Sequence, residues 1–197
     1  MRKGDRRGLW ILDVFAAGFY AVTVSGVLRA WRKTGRPPLP MLQQGSWVER
    51  LEAVGMALYP AACAASSRRP HAPLFRPLGR PRLPAAWVVL VSSLVLHGLA
   101  VCTLGGAFRV GIDPAPGPLV RRGPYRWVRH PIYASFFGYF LGAWLAGPSL
   151  LTTLSLPVGV IGVLAQTLRE ERMMGSVLGA AYEEYARTTR RFLPGLL

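Results

Sequence analysis

The sequence predicts an all-α integral membrane protein of about five transmembrane helices, with four as the other count. The chain closes in a helical hairpin and a C-terminal cytoplasmic amphipathic helix. Three observations predict this. The 197 residues are 51% hydrophobic and only 17% charged, with a mean hydropathy of +0.28, whereas about a quarter of an ordinary soluble domain is charged. Ala85 to Phe108 carries no formal charge, and about 20 apolar residues suffice to cross a bilayer. Ile132 to Leu168 also carries no charge. That run is too long for one crossing and suits two.

The basic excess has a partner class to match. The formal net charge is +15, which in a soluble chain would suggest nucleic acid. Here the Lys and Arg residues fall in patches between apolar runs. Anionic headgroups and the positive-inside bias account for that pattern, so membrane lipids are expected as partners and nucleic acid is not. Cys63 and Cys102 lie far apart in apolar stretches, with no metal-ligand spacing and no disulfide framework. No metal is expected. Oligomeric state is not legible.

Residues 1–104 read as N-terminal membrane helices. Arg2, Lys3, Arg6 and Arg7, with Asp5, precede an apolar run from Leu9 to Leu28. The run is long, Asp13 interrupts it, and no small-residue cleavage site follows, so it reads as a retained helix rather than a signal peptide. Asp13 lies about a turn inside, where an interfacial, structural role is expected. Arg29 to Ser46 is a basic loop stiffened by Pro37-Pro38-Leu39-Pro40. Trp47 to Ser66 opens with Glu49, Arg50 and Glu52, then runs apolar through Pro60. It reads either as a crossing with a charged end or as a helix lying in the interface. Ser67 to Pro84 is a second loop rich in Pro and Arg. Ala85 to Phe108 is the clearest crossing. His97 inside it is expected to hydrogen-bond a neighbouring helix. Gly105-Gly106 loosen its end.

Residues 105–197 hold the polar chemistry. The loop from Val110 to Arg122 contains Asp113-Pro114 and Pro116-Gly117-Pro118, too much proline for a helix. The segment from Gly123 to Ser135 follows, with Arg126, Arg129 and His130 between Pro124 and Pro131. Each proline removes a backbone donor and turns the preceding residue from helical geometry. The charge-free run 132–168 then reads as a hairpin turning at Gly147-Pro148. Gly138 and Gly142, four apart, allow close helix approach on its first arm. The second arm continues into Arg169-Glu170-Glu171-Arg172, which should protrude from the bilayer. The hairpin thereby returns Glu170 to the membrane face that holds His130. Leu178 to Arg187 reads as an amphipathic helix with Tyr182 and Tyr185 on one face. Arg190-Arg191-Phe192-Leu193-Pro194 is expected to end the chain as charge followed by an apolar cap on the membrane. The larger share of Lys and Arg lies with the central loop and the tail, so that side is expected to be cytoplasmic. The side of the N-terminus stays open.

Arginines, an imidazole, tyrosine hydroxyls, free loop backbone and a carboxylate suit a zwitterionic ligand carrying an aromatic base. S-adenosyl-L-methionine fits that description. The pattern Gly123-Pro124-Tyr125-Arg126-x-Val128-Arg129-His130-Pro131-x-Tyr133, the hairpin, Glu170-Glu171, Gly179-x-x-Tyr182-x-x-Tyr185 and terminal Arg191-Phe192-Leu193-Pro194 closely resembles the isoprenylcysteine carboxyl methyltransferase family. That family is related to the membrane phospholipid methyltransferases. The resemblance covers roughly residues 105–197.

It implies an integral membrane enzyme that uses S-adenosyl-L-methionine on a lipidic acceptor entering between helices. The acceptor would be a prenylated-cysteine-like carboxylate or another lipid oxygen or nitrogen. Carried over by motif, cofactor contacts would come from Gly117, Pro118, Leu119, Val120, Tyr125, His130, Pro131, Ile132, Tyr133 and Glu170. Gln166 and Arg129 would face the substrate. Two positions depart from the family: Ser135 stands where Gly is frequent, and Gln166 stands where an Arg commonly helps hold the substrate. In-line transfer to a carboxylate needs no base, whereas an amine, phenol or thiol must first be deprotonated, and no catalytic residue is assigned. Phe136, Phe137, Tyr139, Phe140 and Trp144 are candidate walls for the acceptor. Two alternatives accompany this reading. One is an NADPH-dependent sterol- or steroid-type membrane reductase, which has a similar Arg-His-Pro-x-Tyr signature but usually Asn where Ile132 stands. The other is a non-catalytic membrane protein that kept the scaffold.

Overall fold

A computed structural model describes residues 10–36, 39–40, 46–68, 78–79, 81–113 and 115–193. The basic N-terminal residues, the Pro37-Pro38 break, most of the 67–84 loop, Pro114 and Pro194 lie outside the described residues. The helices are α1 (Trp10–Thr34), α2 (Trp47–Arg68), α3 (Leu83–Leu104), α4 (Pro131–Ala146), α5 (Leu150–Leu178) and α6 (Ala180–Thr188). Short 3-10 turns occupy Gly105–Ala107 and Gly123–Arg126. Among the described residues there is no strand, only an isolated parallel bridge between Val128 and Arg190.

Three stretches are long and apolar enough to cross a membrane: Trp10–Thr34, Leu83–Ala107 and Leu150–Leu178. α4 is apolar but shorter, at 16 residues, or about 24 Å. The expected hairpin is α4 and α5. Ser149 caps α5, accepting from the Thr152 amide while Thr152 bonds back to the Ser149 amide. This reciprocal cap satisfies the first free donors of the helix. α5 then runs unbroken through Arg169-Glu170-Glu171-Arg172.

The helix ends show that α1 to α5 alternate in direction. α1 ends beside the segment after α3, where Arg36 pairs with Asp113 at 3.0 Å and Arg109 reaches the Thr34 hydroxyl at 3.1 Å. α2 starts on that same side, where Glu52 pairs with Arg169 of α5. α3 starts at the opposite end, beside the hairpin turn: the Leu78 amide donates to the Pro148 carbonyl at 2.9 Å and the Arg82 amide to Leu145 at 2.7 Å. Trp10 lies at that end too, its ring 5.4 Å from Trp87.

The ambiguous segment 47–66 is therefore one helix standing against α1, not one lying across the bundle. Pro60 sits inside it and disturbs the local ladder. The Tyr20 hydroxyl of α1 enters there, donating to the Ala57 carbonyl and accepting from the Ala61 amide at 3.2 Å. The hydroxyl thus spans the disturbed turn and partners its backbone groups.

α3 and α4 pack most closely. A Cβ added at Gly142 would lie 2.6 Å from the Leu90 side chain, and one at Gly138 would lie 3.1 Å from Ser93. The two glycines four apart thus form the contact face expected of them. His97 completes the join. Its Nδ1 is 3.1 Å from the Ser135 hydroxyl, its Nε2 is 3.0 Å from the Thr23 hydroxyl, and its ring stacks on Phe19. One imidazole therefore links α1, α3 and α4. Ser135, the departure from the family's glycine, has a use here: its hydroxyl bonds His97 and donates to the Ile132 carbonyl at 2.6 Å.

Close packing at Gly142 makes a prediction. Gly142→Val should destabilise by about 1–3 kcal/mol through overpacking. Gly98→Val should not, because nothing lies within 4 Å of a Cβ there. Thermal melts of both variants in the same detergent check the contrast.

Candidate functional site

The site is built on the join between α3 and α4. Gly123 has φ +56, and a Cβ there would lie 2.7 Å from the Thr103 hydroxyl. Only glycine takes that backbone geometry at that distance without strain. Pro124 follows inside the 3-10 turn, which buries Tyr125. His130, at φ −126 and ψ 59, precedes α4, and Pro131 occupies its first turn. Proline suits that place because no helical amide is needed there.

The hairpin brings Glu170 to this loop. The Tyr133 hydroxyl donates to Glu170 Oε2 at 2.8 Å, and His130 Nδ1 lies 3.9 Å from the same oxygen. The Tyr133 ring stacks on His130 at 5.5 Å. Glu171 turns the other way. It accepts from Arg129 Nε at 3.0 Å and from Arg191 at 2.9–3.2 Å. His130 Nε2 lies 3.3 Å from Glu171 Oε1 but without hydrogen-bond alignment, and it is a buried nitrogen with no hydrogen-bond partner among the described residues.

Gly179, at φ +54, turns the chain from α5 into α6. α6 then presents two buried tyrosines. The Tyr185 hydroxyl donates to the Tyr125 carbonyl at 2.7 Å. The Tyr182 hydroxyl is buried with no partner among the described residues. Burial, the Glu170 charge and Tyr185 raise the Tyr125 hydroxyl well above its ordinary value. Burial pushes Tyr185 up to about 12, partly offset by Arg129 and Arg121. Both hydroxyls are thus neutral donors at pH 7. A hydrogen bond to Glu171 outweighs burial and raises the Arg191 guanidinium above its ordinary value.

The described part of the tail, through Leu193, pairs with the loop before α4. The Arg129 amide donates to the Arg190 carbonyl at 2.7 Å, His130 to Arg191 at 3.0 Å, and Arg190 to Trp127 at 3.0 Å. Phe192 lies against Phe137 and His130. Free backbone groups of the 127–130 loop take the tail as a pairing partner.

One cavity of about 810 Å³ joins these parts. Gly117, Pro118, Leu119, Val120, Tyr125, Arg129, His130, Ile132, Tyr133, Gln166 and Glu170 all line it, whereas Pro131 is buried in the start of α4 and does not. Arg129 is already engaged: besides Glu171, it donates to the carbonyls of Ala186 at 2.8 Å and Thr189 at 2.5 Å. The Gln166 side-chain Oε1 accepts from Arg169 at 3.0 Å. From the polar end the cavity extends into an apolar limb walled by Phe19, Met56, Phe136, Phe140, Val158 and Val163. Phe137, Tyr139 and Trp144 do not line it. Phe137 meets Phe192, Tyr139 belongs to the core, and Trp144 bonds Thr153 near the hairpin turn.

The walls from α1 and α2 were not legible in sequence, since nothing local marks which face of those helices looks inward. Tyr182 was visible in its motif, but no signal separated its unsatisfied hydroxyl from the satisfied one of Tyr185.

Residues 84–181 match the model of a family described as phospholipid methyltransferase. The match takes in just under half of the chain, so this part of the chain is similar to that family. The match favours the methyltransferase reading over the reductase and the non-catalytic ones. The matched span takes in α3 as well as the central loop, the hairpin and the start of α6. A 57-residue stretch is also 37% identical to an uncharacterized protein of Bacillus subtilis (strain 168), YpbQ; it covers 26% of this chain and 34% of that one. The match therefore spans about a third of that relative's length.

Arg129 holds Glu171 and two carbonyls at once, with its side chain 10% exposed. Arg129→Ala should cost on the order of 3 kcal/mol by leaving a buried charge with one partner fewer. Arg126→Ala, on an exposed arginine stacked over Trp127, should have little effect. Thermal unfolding of both variants in detergent checks this.

Proposed function

We propose that the protein is an S-adenosyl-L-methionine-dependent methyltransferase acting on a lipidic acceptor at the cytoplasmic membrane face. The observation that carries this reading is the continuity of the cavity. The polar end holds His130, Tyr133 and Glu170, and the same space opens into an apolar limb between helices. A water-soluble donor and a membrane-resident acceptor can thus meet without either leaving its own medium. The basic excess of the loop and tail supports the cytoplasmic assignment.

The residues fit this donor. The Glu170 side chain is 31% exposed, with one oxygen held by Tyr133. It can accept from the ammonium or the ribose hydroxyls of the donor. The Tyr182 hydroxyl, buried with no partner among the described residues, provides a further polar atom at the cavity. Tyr125 and Tyr133 offer ring surface, and the irregular 117–120 loop offers backbone groups. Bound S-adenosyl-L-methionine supplies a methyl group on an activated sulfonium. The chain contributes approach geometry and exclusion of water. Its helix-lined limb orients the acceptor, and the loop, α6 and Glu170 orient the donor.

The acceptor class follows from charge. Gln166 replaces the arginine of the resembling family. The nearest guanidinium, Arg169, is paired with Glu52 and bonded to Gln166. This end of the cavity is therefore poor in free positive charge for a prenyl-cysteine-like carboxylate. A lipid amine or hydroxyl acceptor is the better match. Such an acceptor must lose a proton before or during transfer.

Calorimetry in lipid nanodiscs tests the donor site. Glu170→Ala and His130→Ala should each weaken S-adenosyl-L-methionine binding by about tenfold or more, the size expected for a lost charged hydrogen bond. Unchanged affinity in both variants would refute the site. Incubating the purified protein with donor and a total lipid extract should yield a lipid heavier by one methyl group in mass spectrometry.

A further inference from the structure

We infer that Glu171 is a positioning residue that keys the C-terminal strap, residues 189–193, over the donor site and thereby sets His130. The inference rests on the donor reading above only for its functional consequence. Its structural part stands alone.

An acidic residue near the end of a helix is ordinarily a solvated charge. Glu171 is not. Its side chain is 13% exposed and touches three groups from two distant parts of the chain. Arg129 and His130 come from the loop before α4, and Arg191 comes from the tail. The two arginines would repel across this small space without a carboxylate between them. Glu171 cancels that repulsion, and the strap can then pair its backbone with the loop through the amides of Arg129, His130 and Arg190. The β-bridge joins Val128 to Arg190, and Phe192 closes over the His130 ring at 6.1 Å between centroids.

The strap therefore fixes His130 from behind. The His130 amide is held by Arg191, its ring by Tyr133 and Phe192, and its Nε2 faces Glu171 at 3.3 Å. Glu170 and Glu171 then divide the work between adjacent positions of one helix. Consecutive residues point about 100° apart, so one carboxylate can face the cavity while the next faces the strap. The match to the family model ends at residue 181, so Glu171, Arg129 and His130 lie inside it and the strap lies beyond it.

Hydrogen exchange and donor binding on the full-length protein in nanodiscs test the inference together. Glu171→Gln keeps size and removes charge. It should raise exchange at the Arg129, His130 and Arg190 amides by about tenfold or more while leaving the core amides of α3 unchanged. It should also weaken S-adenosyl-L-methionine binding, read by calorimetry, by about tenfold or more. Glu171→Asp should restore part of both, and Arg191→Gln should reproduce the exchange effect more weakly because Arg129 remains. Unchanged exchange at the three amides in Glu171→Gln would overturn the inference. So would a uniform rise that includes α3, which marks general destabilisation. If the wild type binds no S-adenosyl-L-methionine, the donor reading fails, and the exchange data still decide the strap.

Discussion

The constraint beneath this structure is that an apolar chain entering a bilayer must come back to polar surroundings before it can place charge. α4 and α5 satisfy it together. α4 leaves from His130-Pro131, the turn at Gly147-Pro148 reverses the chain, and α5 stays helical past its apolar part until four charged residues emerge. Backbone hydrogen bonding enforces the helicity, since lipid supplies no partners. The acidic pair therefore arrives beside the loop that α4 left, and every polar contact of the site is downstream of that return.

A hairpin alone would not hold the site still. α4 is set by its close approach to α3 at Gly138 and Gly142, and by the His97 clasp that reaches α1. α2 and α1 wall the apolar limb from the other side. The cavity is thus a consequence of packing five helices with one short member, α4, and two that contain an internal proline, α2 and α5. Where close packing fails beside Phe19, Met56 and Val158, space remains for a slender apolar ligand. Where the loops meet, unsatisfied polar atoms gather at His130 and Tyr182. The two kinds of surface in one cavity are what a reaction between a soluble donor and a membrane acceptor requires.

Much of this could be read from the residues. The hairpin, the turn, the emergence of 169–172, the tight glycine face and the partnering of His97 each rest on a local feature: hydropathy over a run, a Gly-Pro pair, a spacing of four, an imidazole in an apolar helix. The tail and α2 resisted reading for the same reason. The tail has the composition of a membrane cap, but its backbone was claimed by a loop about sixty residues earlier. α2 has too much charge at its start to count as a crossing by hydropathy, yet Glu52 meets Arg169 far along the chain and its charge is accounted for.

The sequence by itself determined which stretches are helical and apolar, where they turn, and which motif the polar segments form, because those properties depend on neighbours a few residues apart. Only the tertiary structure decided that Glu170 faces the cavity while Glu171 faces Arg129 and Arg191, that the tail straps the loop, and that the Trp10 end of α1 lies opposite the site. Those outcomes depend on which groups meet across twenty to sixty residues of intervening chain, and the direction of a side chain there is set by packing rather than by propensity.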